Sequence, residues 1–201
     1  MTRKLVRKHR LAIFLSGRGS NFEAIADAVA DGRIPGAEIV GVISDVSDAP
    51  GLERARERGL SALAVARERF PSRKEHEAAI AEILDAAQPD LICLAGYMRL
   101  LSPDFVSRYR GRILNIHPSL LPKFPGLHPQ RRALEEGETV SGCTVHWVDE
   151  GTDSGPIVLQ KSVPILPGDT EETLSARILE QEHAAYAEAI AKIFEGQQKR
   201  G

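Results

Sequence analysis

Short apolar runs alternate with helical patterns along the first half of the chain. Apolar runs bounded by polar or glycine-rich segments are typical of strands buried on both faces of a parallel sheet. Five such runs are present: Leu11–Leu15, Glu38–Ser44, Ala62–Ala66, Leu91–Ala95 and Ile113–Ile116. Between them, Ser20–Asp31 and Ser72–Ala87 carry apolar residues at the spacing of an amphipathic helix. The alternation predicts a βαβ series with helices packed on the sheet.

The pattern changes in the second half. A short helix is predicted through Ala133 and Leu134, and the runs Val140–Val148 and Ile157–Ile165 could form an antiparallel pair. A long final helix is predicted to begin near Asp169–Glu172, whose carboxylates suit a helix start. The predicted fold class is α/β: a Rossmann-like, mostly parallel sheet with helices on both faces and antiparallel strands near the C-terminal end. No repeat or linker divides the chain, so residues 1–201 are expected to form a single domain, with residues 1–10 a disordered basic leader.

Composition narrows the class of partner. The 201 residues are 42% hydrophobic and 27% charged with a formal net charge of -2, which gives no reason to expect nucleic acid or an anionic membrane. Small molecules are the expected partners, and monomer and homodimer both remain open. The run Leu11–Leu15 is too short for a signal-peptide core, and Cys93 and Cys143 lie in apolar runs typical of buried free thiols. The sequence therefore predicts a cytoplasmic protein.

Candidate chemistry is densest in the run Arg112–Pro122. In a strand successive side chains alternate faces, so Asn115 and His117 share one face. Pro118 keeps His117 extended and ends the hydrogen-bonded ladder, which places the pair at the carboxyl end of a strand, where open α/β sheets bind ligands. An amide and a protonated imidazole can together stabilise an oxyanion, as acyl or one-carbon transfer requires.

A histidine with an ordinary pKa of about 6.5 is mostly neutral at pH 7, so this hypothesis needs a carboxylate that raises the pKa of His117. The loop before the second antiparallel run supplies three candidates: Asp149, Glu150 and Asp153. Spacing alone does not choose among them. The alternative is that His117 is a structural histidine and that Asn115 caps a turn. No metal site is expected, because the spacing of His117, His128 and His146 fits no short ligand pattern.

A glycine-rich turn, Ser16–Asn21, follows the first strand and opens the first helix, where free N–H groups favour an anion. Phe22 occupies the place of the third glycine of a dinucleotide fingerprint, although Asp45 after the second strand keeps that interpretation open. Side-chain donors from Ser20 and Asn21 suit a single phosphate better. The alternative is that one of these two residues merely caps the helix.

A carboxylate interrupts the apolar stripe of the final helix. Glu182 lies four residues after Ile178, on the face that carries the apolar residues. Because an unpaired buried carboxylate is costly, either the helix faces a wet cleft or Glu182 binds a ligand there. A locally exposed turn would explain it equally well.

Four motifs together resemble the phosphoribosylglycinamide formyltransferase family, within the folate-dependent formyltransferase superfamily. They are Ser16–Phe22, Ala95–Pro103, Asn115–Pro122 and Asp153–Ile157, and the resemblance runs from about Arg10 to Phe194. The Asn, His and Asp set is shared across the superfamily. The turn Gly19–Asn21 and the segment Lys123–His128 are the more specific signals, while Pro129–Gln130 depart from the family pattern.

The resemblance implies transfer of the formyl group of 10-formyltetrahydrofolate, a cosubstrate, to the amine of N1-(5-phosphoribosyl)glycinamide in de novo purine synthesis. The implied ribonucleotide-binding residues are Gly19, Ser20, Asn21 and Glu182. The implied folate-binding residues are Arg73, Met98, Arg99, Leu100, Leu101 and Asn115. The implied catalytic residues are Asn115 and His117, with Asp153 as the carboxylate that raises the pKa of His117.

The expected mechanism is direct attack of the amine on the formyl carbon, with Asn115 and His117 stabilising the oxyanion and Asp153 accepting the amine proton. Two alternatives use the same residues differently. A formyltetrahydrofolate deformylase would take water as the acceptor. A non-enzymatic dinucleotide-binding module would use the glycine turn and Asp45, and would leave the strand-end pair unexplained.

Overall fold

A computed structural model describes residues 7–198, which form a single α/β domain around one seven-stranded sheet. The strands are β1 His9–Leu15, β2 Ala37–Ser44, β3 Ala62–Ala64, β4 Leu91–Leu94, β5 Ile113–His117, β6 Val140–Trp147 and β7 Ile157–Pro164. The helices are α1 Ser20–Ala30, α2 Pro50–Glu57, α3 Arg73–Ala87, α4 Pro103–Arg108, α5 Pro129–Glu135 and α6 Glu171–Gln198, with a 3-10 turn at Arg67–Arg69.

The strand order is β3-β2-β1-β4-β5-β6-β7. Strands β1 to β5 are parallel, whereas β6 pairs antiparallel with β5 and with β7. The predicted Rossmann-like sheet with antiparallel strands near the C-terminal end is therefore confirmed. The order reverses at β1, whose neighbours are β2 and β4, so a ligand crevice is expected at the carboxyl ends of these strands.

Alternation along β1 divides the core into two layers. Leu11, Ile13 and Leu15 pack with α1, α2 and α6, whereas Ala12 and Phe14 pack with α3 and α4 on the opposite face. All five side chains are buried. Helices on both faces leave the carboxyl edge of the sheet uncovered except by loops, which is where the candidate site lies.

The structure corrects some boundaries. Strand β1 begins at His9, two residues before the prediction, because its pairing with β2 extends to His9 opposite Ala37. The His9 ring also stacks on Phe194 of α6 at a centroid distance of 4.1 Å. The last two residues of the predicted leader are therefore in the sheet, and its residues 1–6 lie outside the described residues. Helices α2 and α4 were not predicted, because eight and six residues are too few to show a helical period. Pro129, which departs from the family pattern, occupies the first turn of α5, where proline is tolerated.

Candidate functional site

Asn115 and His117 lie at the carboxyl end of β5, as the alternation predicts. Register pairs Asn115 with His146 and His117 with Thr144 on the neighbouring strand β6. Asn115 is half-buried and His117 is buried. The pair is therefore supported from one side by the polar residues of an antiparallel strand.

Asp153 joins this pair from the loop between β6 and β7. Its Oδ2 lies 3.2 Å from His117 Nδ1 and accepts a hydrogen bond of 2.8 Å from the backbone N–H of Gly126. Its Oδ1 lies 3.4 Å from Asn115 Nδ2. Asp153 has a φ of +52°, in the left-handed region that few non-glycine residues adopt, so the surrounding loops must hold it there.

The two other acidic candidates of this loop have different partners. Asp149 accepts hydrogen bonds from the Ser154 hydroxyl at 2.8 Å and from Gly151 N–H at 3.1 Å, and Glu150 pairs with Arg110. Geometry therefore selects Asp153 as the carboxylate that faces His117, a choice that spacing along the chain could not make.

Both ring nitrogens of His117 face acceptors. His117 Nε2–H donates to the carbonyl oxygen of Phe124 at 2.8 Å, and Nδ1 faces the Asp153 carboxylate. This arrangement suits a protonated ring, but burial, with smaller contributions from His146 and Arg132, lowers the pKa of His117 by more than Asp153 and the Phe124 carbonyl raise it. The expected net rise in the pKa of His117 is therefore wrong, and the main cause of the lowered pKa is the desolvation of the charged ring.

Asp153 itself is held in its ionised form. Burial acts to raise the pKa of this carboxyl, but the nearby His146 ring, the Gly126 N–H and His117 together lower it below its ordinary value. Asp153 is consequently a carboxylate at neutral pH, next to a largely neutral imidazole. The two groups form a pair able to take up one proton.

His146 is a site residue that the sequence reasoning considered only as a metal ligand. It is buried, its Nδ1 lies 2.9 Å from the Trp147 carbonyl oxygen, and its Nε2 lies 3.2 Å from Asn115 Nδ2 and 3.6 Å from Asp153 Oδ1. His146 therefore contacts both the amide and the carboxylate of the site. The signal available in the sequence was the alternation of Thr144 and His146 along β6, on the face that meets Asn115 and His117 in the sheet.

The glycine turn is packed tightly against α2. Gly19 has a φ of +79°, and a Cβ there would lie 3.0 Å from the Cα of Gly51. Gly19 is the N-cap of α1 and supplies no side-chain cap, so the alternative that Ser20 or Asn21 caps the helix is wrong. In any α-helix the N–H groups of the first turn have no intrahelical acceptor, so those of α1 are open to an anion.

Asn21 and Glu182 meet beside this turn. Both are buried, and Asn21 Nδ2 donates to Glu182 Oε2 at 2.7 Å. Asn21 Oδ1 is buried without a hydrogen-bond partner among the described residues. Burial raises the pKa of Glu182, while the bond from Asn21 lowers it by less. An exposed turn therefore does not explain why a carboxylate lies on the apolar face of α6. The pair also has a buried acceptor, Asn21 Oδ1, that lacks a hydrogen-bond donor within residues 7–198.

The segment Met98–Leu101, called the wall below, follows β4 at the same edge. The side chains of Met98 and Leu100 are 77% and 70% exposed, an unusual state for large apolar groups that follow a buried strand. A cavity of about 330 Å³ beside them is lined by Arg73, His76, Glu77, Tyr97 and the four wall residues. Arg73 and Arg99 add positive charge to this apolar surface.

Asp45, the residue that supports a dinucleotide site in the sequence, is buried and already hydrogen-bonded within the protein. It accepts a 2.5 Å hydrogen bond from the Ser16 hydroxyl, and its other oxygen lies 3.9 Å from Arg99 Nη1. Ser16 Oγ in turn accepts from the backbone N–H of Met98 at 2.8 Å. Asp45 thus connects the glycine turn to the wall and is not presented to a ribose.

Two searches of residues 7–198 bear on other chemistry. No cluster of three or more His, Cys, Asp or Glu side chains in this part of the chain is arranged to hold a metal ion. No helix formed by these residues is both long and apolar enough to cross a membrane.

The molecule is an α/β protein with a glycine turn after β1 and with Asn, His and Asp side chains that meet at the carboxyl end of β5. The chain belongs to the formyl transferase family, whose model matches residues 9–190.

Particular relatives narrow the comparison. The chain is 45% identical to phosphoribosylglycinamide formyltransferase of Escherichia coli over 94% of its own length and 89% of that protein. It is 51% identical to the trifunctional purine biosynthetic protein adenosine-3 of Drosophila pseudoobscura over 96% of its own length, but spans only 14% of that relative.

Solved structures agree. The chain is similar to glycinamide ribonucleotide transformylase 1 of Symbiobacterium toebii, with a TM-score of 0.91 and 53% identity over 94% of this chain and 89% of that one. It is also similar to phosphoribosylglycinamide formyltransferase of Brucella melitensis, with a TM-score of 0.88 and 52% identity over 93% and 96% of the two chains. The fold and family are thereby established on both sequence and structure.

Proposed function

We propose that this chain transfers the formyl group of 10-formyltetrahydrofolate to the amine of N1-(5-phosphoribosyl)glycinamide, giving the N-formyl product and tetrahydrofolate in de novo purine synthesis. The observation that carries the proposal is the convergence of Asn115 and His117 on the Asp153 carboxylate, at 3.4 and 3.2 Å, at the same edge of the sheet as a helix N-terminus open to a phosphate. Relatives of closely similar length carry that substrate in their names.

The ribonucleotide is placed by the glycine turn and its neighbours. Backbone N–H groups of Gly19, Ser20 and Asn21 suit a phosphate at the start of α1. Glu182 and Asn21 offer acceptor oxygens to hydroxyl or amide donors of the same substrate, which would satisfy the unpartnered Asn21 Oδ1.

We assign the formyl donor to the wall, which follows β4, whereas the ribonucleotide is assigned to the glycine turn after β1. The exposed Met98 and Leu100 side chains suit the flat aromatic part of a folate, and Leu101 lines the same cavity. The guanidinium groups of Arg73 and Arg99, 47% and 45% exposed, suit its carboxylates. Asn115 lies where the formyl group would meet the amine, so these residues fit the cosubstrate.

The chemistry follows from the proton-accepting pair. The neutral amine attacks the formyl carbon, a new C–N bond forms, and the carbonyl oxygen becomes an oxyanion beside the Asn115 amide. Asp153 and His117, acting directly or through one water, take up the amine proton. The imidazolium so formed adds a positive charge near the oxyanion. Collapse of the tetrahedral intermediate breaks the C–N10 bond, and the proton passes to N10 of tetrahydrofolate.

The direct test follows tetrahydrofolate release from 10-formyltetrahydrofolate with and without the ribonucleotide. We expect release only when the ribonucleotide is present. Release in its absence would identify a deformylase. No release with either mixture, together with tight binding of NAD, would support the dinucleotide-binding alternative.

We also infer that the protein acts in the cytoplasm as a monomer or homodimer that binds small molecules, without nucleic acid or membrane partners. Cys93 and Cys143 are buried free thiols, as predicted, which suits a reducing compartment. Size-exclusion chromatography with light scattering would distinguish the two oligomeric states.

A further inference from the structure

A buried carboxylate lies behind the wall, on the helix that supports it. The Glu77 side chain, on α3, is only 9% exposed. The other buried residues of α3 are His76, which is hydrogen-bonded to the Val65 carbonyl, and apolar residues such as Ile80 and Leu84. Because burying a carboxylate is costly unless it is fully hydrogen-bonded, the partners of Glu77 indicate what it stabilises.

Most of these partners belong to the segment that continues the wall. Glu77 Oε1 accepts from the backbone N–H of Ser102 at 2.8 Å and from Arg73 Nε at 3.2 Å. Glu77 Oε2 accepts from the Ser102 hydroxyl. The same hydroxyl oxygen accepts from Phe105 N–H at 3.2 Å, as the N-cap of α4. One carboxylate therefore fixes both the end of the wall and the start of the following helix.

The wall is also held two residues before Ser102, at Leu100. Arg73, which Glu77 orients, donates from Nη2 to the carbonyl oxygen of Leu100. The wall backbone is thus tied to α3 at Leu100 and Ser102, while the Met98 and Leu100 side chains remain exposed. A fixed backbone with free apolar side chains is a preorganised surface, which lowers the ordering cost when a ligand binds.

We propose that Glu77 is a positioning residue that presets the wall for the formyl donor, so that it governs affinity for the folate and not the rate of formyl transfer. The inference rests on the proposed function for the identity of that ligand. Glu77 acts through Ser102 and Arg73 and is separate from Asn115, His117 and Asp153, which face the reacting atoms.

The test compares Glu77→Ala with Glu77→Gln and with Glu82→Ala, a control on the same helix whose side chain is exposed. For Glu77→Ala we expect the KM for 10-formyltetrahydrofolate to rise about 10-fold, with kcat and the KM for the ribonucleotide changed less than about 2-fold. Glu77→Gln, which keeps an acceptor for Ser102, should restore part of this loss. Glu82→Ala should match the wild type.

Binding supplies a readout that does not depend on turnover. The Kd of tetrahydrofolate, followed by the fluorescence of the single tryptophan Trp147, should rise in parallel with the KM in Glu77→Ala. A Ser102→Ala variant should show a smaller rise, and the double variant less than the product of the two, because both substitutions remove the same contact.

A different result would overturn the inference. If Glu77→Ala lowers Tm and reduces kcat with both KM values and the tetrahydrofolate Kd unchanged, Glu77 serves stability alone. An equal rise in both KM values would mean a general disturbance of the site. If the wild type itself transfers no formyl group, the proposed function fails, and the tetrahydrofolate Kd of the variants still decides whether Glu77 positions the wall.

Discussion

At the amino edge of the parallel strands the turn before β2 lies in open space, whereas at the carboxyl edge the turn after β1 packs against the start of α2. A Cβ on Gly36, before β2, would have no neighbour within 4 Å, but one on Gly19, after β1, would meet backbone at 3.0 Å. Pairs of hydrogen-bonding side chains differ in the same way. The Arg33–Asp31 side chains are 56% and 49% exposed, whereas those of His117 and Asp153 are 7% and 14% exposed.

Backbone strain follows the same division. Four non-glycine residues within 7–198 have a positive φ, and three of them, Phe124, His128 and Asp153, belong to the loops at the carboxyl edge. Phe124 and Asp153 contact His117 directly. The fourth, Gln88, follows α3 as its C-cap, an ordinary place for such a residue. The comparison teaches that this fold concentrates backbone strain and buried polar groups at the carboxyl edge, where the chemistry is proposed. The amino edge is left more tolerant of substitution.

The largest expected effect is loss of the carboxyl-edge imidazole. His117→Ala should lower kcat on the order of 10²-fold or more, because a positive charge near the oxyanion and half of the proton-accepting pair are removed. His9→Ala, at the amino edge, is the matched control and should leave kcat unchanged. Steady-state kinetics with both substrates measures this, and near-normal turnover in His117→Ala would contradict the assigned role.

The second prediction compares two glycines that share a positive φ. Gly36→Ala should cost about 1 kcal/mol for the left-handed backbone alone. Gly19→Ala should cost about 2 kcal/mol more, since its Cβ must displace the backbone of Gly51, and should raise the KM for the ribonucleotide. Urea unfolding gives both values. Equal costs would mean that the carboxyl edge is no more tightly packed than the amino edge.

A smaller effect of opposite sign is expected at Glu182. Burial raises the pKa of this carboxyl above its ordinary 4.5, so its stabilising contribution is present below that value and is lost as the pH rises through the raised pKa. At pH 7 the buried charge of Glu182 lowers the free energy of unfolding. Glu182→Gln should therefore raise Tm by about 1–3 °C and weaken the binding of the ribonucleotide. The gain should shrink when the melting is repeated near pH 4.5, and a gain independent of pH would argue against this cause.

The smallest effect belongs to the exposed amino-edge pair. Arg33→Ala removes a surface ion pair that water and salt already weaken, so Tm should change by less than about 1 °C. Both KM values should stay at the wild-type level. Differential scanning fluorimetry at low and high salt measures this, and a large loss of stability would show that the amino edge is less tolerant than its open turns indicate.

The sequence predicted more of the sheet than of the site. Runs such as Leu11–Leu15 reveal strands because burial on both faces demands continuous apolar residues. Alternation placed Asn115 and His117 on one face, and the local sequence around Pro118 placed them at the strand end. Helices α2 and α4 escaped notice, since pieces of that length carry too few apolar positions to reveal a period. The contacts of Asp45 and Glu77 were also invisible, because their partners lie on other elements.

By itself the sequence determined which residue types are available and which of them share a strand face, since those properties depend only on neighbours along the chain. The family resemblance pointed to Asp153 among the three acidic residues in the β6–β7 loop, but only the tertiary structure showed that this carboxylate faces His117 and that His146 contacts Asn115. It also decided that burial outweighs Asp153 in the pKa of His117. These are long-range matters, because hydrogen-bond partners and desolvation arise where segments far apart in the chain meet at one edge of the sheet.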